Sequence, residues 1–183
     1  MAFGINEELE FVPVRIAVMT VSDTRTEDND TSGHTLKQRL EDAGHTLAAK
    51  TILRDDREAI SAQVQAWADD PEIDVVITTG GTGLTGRDVT VEAVKPLFSK
   101  EIDGFSVIFH QVSFGTVGLS TLQSRACAGL VPSSKGEGVT FVFCLPGSTG
   151  ACKDGWDKVI SAQLDSRHKP CNLVEIMPRL TER

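Results

Sequence analysis

The chain has 183 residues, 40% of them hydrophobic and 24% charged, and its 18 basic and 26 acidic residues leave a formal net charge of −8. A chain this long fits a single domain with a sizeable core. The acidic balance argues against a general nucleic-acid surface, which needs clustered Lys and Arg, but leaves room for a local basic pocket.

Residues 1–11 carry Glu7, Glu8 and Glu10 and lack the basic and apolar regions of a signal peptide. No apolar run approaches the roughly 18 residues of a membrane span. The expectation is a soluble cytoplasmic protein that engages neither membrane nor nucleic acid. Residues 15–21 (RIAVMTV) read as a strand, followed by a polar loop at 22–30. Thr31 or Ser32 can cap a helix through about Ala43, with Leu36 and Leu40 on one face and Gly44 as the stop. A second strand is expected at 46–53. Asp55-x-x-Glu58 resembles a capping box opening a helix to about Ala68, whose Ile60, Val64 and Trp67 share a face.

A short apolar strand at 74–79 has the continuous pattern of a strand buried on both faces. A glycine-dense loop follows it, then a helix at 90–98. A further helix is expected at 105–113, and either a helix or a turn-rich connection at 119–128. The expected later elements are a strand near 128–131, a surface loop at 132–138, a strand at 139–145 and a helix from 149 to about 164. The remainder reads as an extended tail, with 172–177 as a possible strand. The alternation predicts an α/β fold of three layers, a mostly parallel central sheet flanked by helices. The whole chain forms one domain with its core at 12–177 and tails at 1–11 and 178–183.

In such sheets ligands sit beyond the carboxyl ends of the strands. Three polar loops should therefore converge, at 22–30, 79–88 and 146–149, with Asp55 at the same rim. The loop Thr79-Gly80-Gly81-Thr82-Gly83 suits an anionic ligand. Glycine permits positive φ and close backbone approach, and free N–H groups favour phosphate. Gly81-x-Gly83-x-x-Gly86 matches a dinucleotide fingerprint only formally, because it follows the third strand and lacks the acidic ribose partner. It is also a near miss to a P-loop, with Arg87 and Asp88 in place of the Lys and Ser/Thr.

Asp88 reads either as a ligand for Mg²⁺ or as a helix-start acid stabilised by the dipole. Asp55 reads as a cap, and Asp23, Asp28 and Asp30 as solvated loop acids. Pro146-Gly147-Ser148 offers either a second anion site or a turn with Ser148 or Thr149 as cap. Ser124-Arg125 could bring a hydroxyl and a guanidinium to an anion. The four cysteines form no CxxC pair and the four histidines are scattered, so reduced, mostly buried thiols are expected rather than a zinc site.

These residues resemble the MoaB/MogA family of molybdenum cofactor biosynthesis proteins, the MoaB branch most closely. The resemblance is carried by Thr20-Val21-Ser22-Asp23, Asp30-Thr31-Ser32-Gly33, TTGGTGLTGRDVTVEAV at 78–94, Leu122-Gln123-Ser124-Arg125-Ala126 and Leu145-Pro146-Gly147-Ser148-Thr149. Further matches are Gly104-Phe105, Ser113-Phe114, Gln163-Leu164-Asp165-x-Arg167 and Pro170-Cys171-Asn172. The resemblance covers roughly residues 12–177.

It implies a self-associating molybdopterin-binding fold, as a trimer or hexamer, and contact with other molybdenum cofactor biosynthesis proteins. It implies Mg²⁺- and ATP-dependent adenylylation of the molybdopterin phosphate. Asp55 and Asp88 would act as catalytic and Mg²⁺-binding carboxylates. Thr79, Gly80, Gly81, Thr82, Gly83, Ser113, Ser124, Pro146, Gly147 and Ser148 would bind substrate, with the loop N–H groups of 80–83 on phosphate or pterin. The chain departs from the family pattern at Val91, where proline is frequent, and at the PGST loop. The alternatives are a non-catalytic molybdopterin-binding or scaffold protein of the same fold, and a dinucleotide-dependent oxidoreductase resting on the glycine pattern alone.

Overall fold

The computed structural model describes residues 4–136 and 138–182. Eight strands and seven α-helices alternate along it: β1 Gly4–Ile5, β2 Arg15–Val21, α1 Thr31–Asp42, β3 Thr46–Leu53, α2 Arg57–Ala68, β4 Val75–Thr79, α3 Thr90–Val94, β5 Lys100–Glu101, α4 Asp103–Val117, β6 Cys127–Pro132, β7 Val139–Leu145, α5 Thr149–Gly155, α6 Ser161–Leu164, β8 His168–Lys169 and α7 Leu173–Ile176. The main sheet has the order β3-β2-β4-β7-β6-β5. β3, β2, β4 and β7 are parallel, whereas β6 runs antiparallel to β7 and β5 antiparallel to β6. This is the expected three-layer, mostly parallel α/β fold.

Side chains alternate across the pleat, so each strand feeds two cores. Ile16 and Val18 of β2, Val75 and Ile77 of β4 and Phe141 and Phe143 of β7 face α1, α4 and the 149–164 helix through Leu36, Leu40, Phe105, Phe109, Trp156 and Ile160. Ala17, Met19, Val76, Val142 and Cys144 face the other way, onto α2 and α3 through Ile60, Val64, Trp67 and Val94. Burial on both faces explains why β4 reads as a continuous apolar run.

Several boundaries differ from the sequence expectation, each for a local reason. α1 is capped by Asp30, whose carboxylate accepts from Gly33 N–H, not by Thr31 or Ser32. α2 is capped by Asp56, which accepts from Ala59 N–H at 2.8 Å, one position after the expected Asp55. The helix expected at 90–98 is α3 followed by a 3-10 turn, Lys95–Leu97, containing Pro96. α4 is longer than expected and ends at Gly118, with φ 59°, before a 3-10 turn, Gly118–Gln123. The 149–164 helix carries a π segment, Trp156–Ile160, between α5 and α6. The possible strand at 172–177 is instead the helix α7, because Asn172 caps Glu175 N–H.

The helical run Asp103–Gln123 has a mean hydropathy of 1.2 over its most apolar window, long and apolar enough by length and composition to cross a membrane. The sequence reading did not register it, because polar residues interrupt the run. Phe105 and Phe109 of its inner face pack in the core. The segment read as an N-terminal tail is tied down over residues 4–12. β1 pairs antiparallel with β8, Val12 N–H donates to Ser166 Oγ at 2.8 Å, and Phe11 sits 5.2 Å from the His45 ring and 5.1 Å under the Arg167 guanidinium.

The cap assignment is directly testable. Asp56→Ala should lower the unfolding free energy by about 1 kcal/mol in urea denaturation, through loss of the Ala59 N–H bond. No change would place the cap elsewhere.

Candidate functional site

β2 leads through α1 to β3 on one side of it, and α2 then carries the chain back across to β4 on the other. The connections diverge at the carboxyl ends of β2 and β4, the place where open α/β sheets form a crevice. There the loops after β2, β3, β4 and β7 enclose a cavity of about 710 Å³. All twelve residues singled out from the sequence line it: Asp55, Thr79, Gly80, Gly81, Thr82, Gly83, Asp88, Ser113, Ser124, Pro146, Gly147 and Ser148. Arg25, Thr116, Ser120, Thr121 and Asp154 also line it. Arg25 lies in the polar loop at 22–30 but was not singled out within it; Thr116, Ser120, Thr121 and Asp154 were missed because they sit on helices and a turn outside the three loops.

The glycines make the convergence possible. Gly80 has φ 104° and its N–H donates to Leu145 O at 3.0 Å, while a Cβ there would lie 2.2 Å from Val21 O. Gly81 has φ 64°, and a Cβ there would meet Thr90 Oγ1 at 2.2 Å. Thr90 Oγ1 donates to Gly80 O and Thr79 Oγ1 to Pro146 O, each at 2.9 Å, fastening the β4 exit to α3 and to the β7 loop. The expected set of free loop amides is thereby narrowed. Gly80 N–H is bound to Leu145 O and Gly83 N–H is directed at Asp88. Among the described residues, Gly81 and Thr82 N–H have no internal partner.

The acidic side chains divide by role. Asp88 does not cap α3; its Oδ2 accepts from Thr85 N–H at 2.8 Å and Thr85 Oγ1 at 2.6 Å. Burial pushes Asp88 up, but those bonds, Gly83 N–H and Arg125 outweigh it and hold the carboxyl below its ordinary value. Asp55, released from the expected cap, is pushed up by burial and by the charges of Asp23 and Asp88. Asp30, expected as a solvated loop acid, is fully buried. It accepts from Thr20 Oγ1 and pairs with Lys50 Nζ, both at 2.9 Å.

Arg125 does not present its guanidinium to a ligand as expected. Nε donates to Gly83 O at 2.8 Å, Nη2 to Asp88 O at 2.9 Å, and the group pairs with Glu92. It therefore clamps the glycine loop. Ser148 is the helix cap, accepting from Ala151 N–H at 3.1 Å. Cys127, Cys144 and Cys152 are buried free thiols and Cys171 is exposed.

The cavity is lined by Asp30, Asp55, Asp88 and Asp154 against Arg25 and Arg87. Arg87 is paired with Asp23 at 2.8 Å and Arg25 donates to Asn29 O at 2.7 Å. Asp55 and Asp88 both line the cavity, and carboxylate oxygens are the donors Mg²⁺ takes, so the pair would fit that ion. Among the described residues no three His, Cys, Asp or Glu side chains are grouped to hold a metal. Mg²⁺ here would complete its shell from phosphate oxygens and water, as it commonly does.

The Asp55 shift sets a pH dependence. Unfolded Asp55 loses its proton near 3.8, whereas the folded protein keeps it to higher pH. Stability is therefore lost as pH rises through that window and stays lost above it. Asp55→Asn should unfold at higher urea than wild type at pH 7 and at the same urea at pH 3. A gain of equal size at both pH values would remove ionisation of the buried Asp55 carboxyl as the cause.

Residues 17–166 match the family described as "Probable molybdopterin binding domain". The chain is 48% identical over 163 residues to molybdenum cofactor biosynthesis protein B of Escherichia coli K12, covering 89% of this chain and 92% of that protein. The protein of the same name from Bacillus subtilis is 44% identical over 152 residues, covering 82% and 86%. A crystal structure of molybdenum cofactor biosynthesis protein B superposes with a TM-score of 0.80 at 38% identity, covering 94% of this chain and 98% of that one. The tungsten cofactor synthesizing protein MoaB from Pyrococcus furiosus gives 0.74 at 34%, covering 93% and 98%. With the glycine loop, the β7 loop and the facing carboxylates all in one crevice, the chain belongs to the MoaB/MogA family of molybdopterin-binding-domain proteins, on its MoaB branch.

Proposed function

We propose that the protein acts in molybdenum cofactor biosynthesis as a molybdopterin adenylyltransferase. A terminal phosphate oxygen of molybdopterin attacks the α-phosphorus of ATP. A new P–O bond forms, the bond from that phosphorus to the β-phosphate bridging oxygen breaks, and pyrophosphate leaves. The observation that carries the reading is the crowded Asp55 carboxylate facing Asp88 in a cavity that also holds the unpartnered Gly81 and Thr82 amides. Phosphates would not settle beside acidic side chains without a cation, and free backbone donors suit phosphate oxygens.

Asp55 and Asp88 would hold Mg²⁺, which when bound supplies charge neutralisation for the phosphates. Gly81 and Thr82 N–H would orient the reacting phosphate. Arg125, through Gly83 and Asp88, would keep that loop in one geometry. Such transfer rests on positioning and electrostatics, so no side-chain nucleophile is required. The reading places the protein in the cytoplasm, where ATP is available.

One observation favours the non-catalytic alternative. Of the two arginines that line the cavity, Arg87 is already charge-paired with Asp23 and Arg25 gives one N–H to Asn29 O, so both are partly committed before phosphate charge develops. The two readings separate in one assay. Incubated with molybdopterin, ATP and Mg²⁺, the protein should yield pyrophosphate and an adenylylated pterin by mass spectrometry. Asp88→Asn should cut turnover at least ~100-fold while retaining pterin binding, a loss comparable to removing one transition-state electrostatic group. Binding without pyrophosphate in the wild type would select the scaffold reading.

Self-association is part of the proposal. Val107, Ile108, Phe114 and Val117 of α4, with Leu119 and Leu122 beyond it, are exposed along one helical run. Such a patch suits contact with further copies of the chain. Light scattering should give a trimer or hexamer of the 19.7 kDa chain, and Phe114→Glu should shift it towards monomer. A wild-type monomer at micromolar concentration would sink this part.

A further inference from the structure

Three polar side chains stand in one row across the sheet. Cys127 of β6 is the direct cross-strand partner of Cys144 of β7, and Cys144 is in register with Thr78 of β4. Both cysteines are free thiols, and both project to the face of the sheet that packs on α2 and α3. Directly opposed residues of an antiparallel pair have Cα atoms about 4.5–5.5 Å apart, inside the roughly 4.4–6.8 Å that a disulfide spans. A ladder that already holds two thiols opposite each other on one face needs no rearrangement of the fold to join them. Neither thiol lines the cavity, so the transfer chemistry proposed above leaves the pair without a role. The pair is nevertheless close to that site along the chain. Arg125, which clamps the glycine loop through Gly83 O and Asp88 O, lies just before Cys127.

The two thiols are not equivalent. Cys144 is fully buried, whereas Cys127 is the first residue of its strand and keeps 3% exposure. The adjacent Cys144 thiol, helped by the Lys95 ammonium, outweighs burial and holds the Cys127 thiol below its ordinary value. Cys144 is pushed the other way, by Cys127 and by its own burial. The thiolate is the reactive form, so Cys127 is the attacking sulfur and Cys144 the one that answers it. Thr78 Oγ1 is buried with no hydrogen-bond partner among the described residues. Its hydroxyl is therefore a donor available to charge that builds on the neighbouring Cys144 sulfur.

We propose that Cys127 and Cys144 form a redox-sensitive modification site, which closes to a disulfide under hydrogen peroxide and reopens under added thiol. The Cys127 thiolate attacks one peroxide oxygen, and the O–O bond breaks. Cys127 becomes a sulfenic acid, and the departing hydroxide takes up the proton that the thiol had released, giving water. The Cys144 sulfur then attacks the sulfenyl sulfur. The S–O bond breaks, and the leaving oxygen takes the Cys144 proton as a second water. Two thiols lose two hydrogens and two electrons, and the peroxide is reduced to two waters. An added thiol reverses the crosslink through a mixed disulfide. This chemistry is independent of whether the cavity transfers adenylyl groups.

The test treats the reduced, folded full-length chain with hydrogen peroxide, blocks remaining thiols with an alkylating agent and follows the protein by mass spectrometry. Wild type should lose two hydrogens, about 2 Da, with the loss reversed by dithiothreitol. A non-reducing tryptic digest should join the peptide carrying Cys127 to the one carrying Cys144. Cys127→Ser and Cys144→Ser should each abolish the crosslink, and the latter should leave a Cys127 sulfenic acid that dimedone traps. Cys152→Ser and Cys171→Ser should keep it. Oxidation of the exposed Cys171 without any crosslink in the folded wild type would overturn the proposal. So would a crosslink that forms only in urea, or one that joins Cys152 or Cys171 instead.

Discussion

The architecture depends on how closely three strand exits approach one another at Gly80. Its amide is tied to the last residue of β7, its α-carbon lies where a side chain would run into the carbonyl of the last residue of β2, and its own carbonyl is held by Thr90. A Cβ on Gly147 would in turn come within 3.2 Å of the Gly80 Cα. A residue with a side chain at position 80 would have to part β2 from β4 or abandon the left-handed backbone. Either change would open the crevice that gives the cavity its depth. The positions of the Gly81 and Thr82 amides are thus set by backbone packing beneath them.

A second device works from below the β2 loop. Asp30 is a buried acid with three demands on it: the α1 cap, the Thr20 hydroxyl and the Lys50 ammonium of β3. Desolvation alone would lower the Lys50 pKa, but Glu27 and Asp30 reverse that and hold the ammonium charged. One carboxylate therefore fixes the start of a helix, the end of one strand and the flank of another. Arg125 plays the matching part on the opposite side of the cavity, reaching two loop carbonyls and an α3 carboxylate. Asp30 and Arg125, two charged groups at the cavity, are here spent on holding loops in place.

How much of this could be read from residues alone depended on the range of the determining interaction. β2, β4 and β7 were legible because two-sided burial writes an apolar run into consecutive residues, whereas β3 is a half-exposed edge strand. The site was legible where chemistry is dense in sequence, as in the loops at 79–88 and 146–149. Caps were displaced by one residue because Asp30 and Asp56 stand beside other good capping residues, and only the φ and ψ angles decide between them. The α4 side of the cavity was largely illegible. Ser120, Thr121 and Gln123 become a surface only once α4 packs Phe105 and Phe109 onto strands distant along the chain. Arg125 was misread for the same reason: its partners, Gly83 and Glu92, lie far away along the chain.

The strap formed by residues 4–12 lies at the other end of the sheet from the cavity. It leans on His45, just before β3, and on the 165–169 segment, while the loops that bind lie past the opposite strand ends. Local opening follows the sparsest packing, and global opening follows the densest. The strap itself is mostly exposed, so it can fray without melting the molecule, whose lifetime is set by the sheet core.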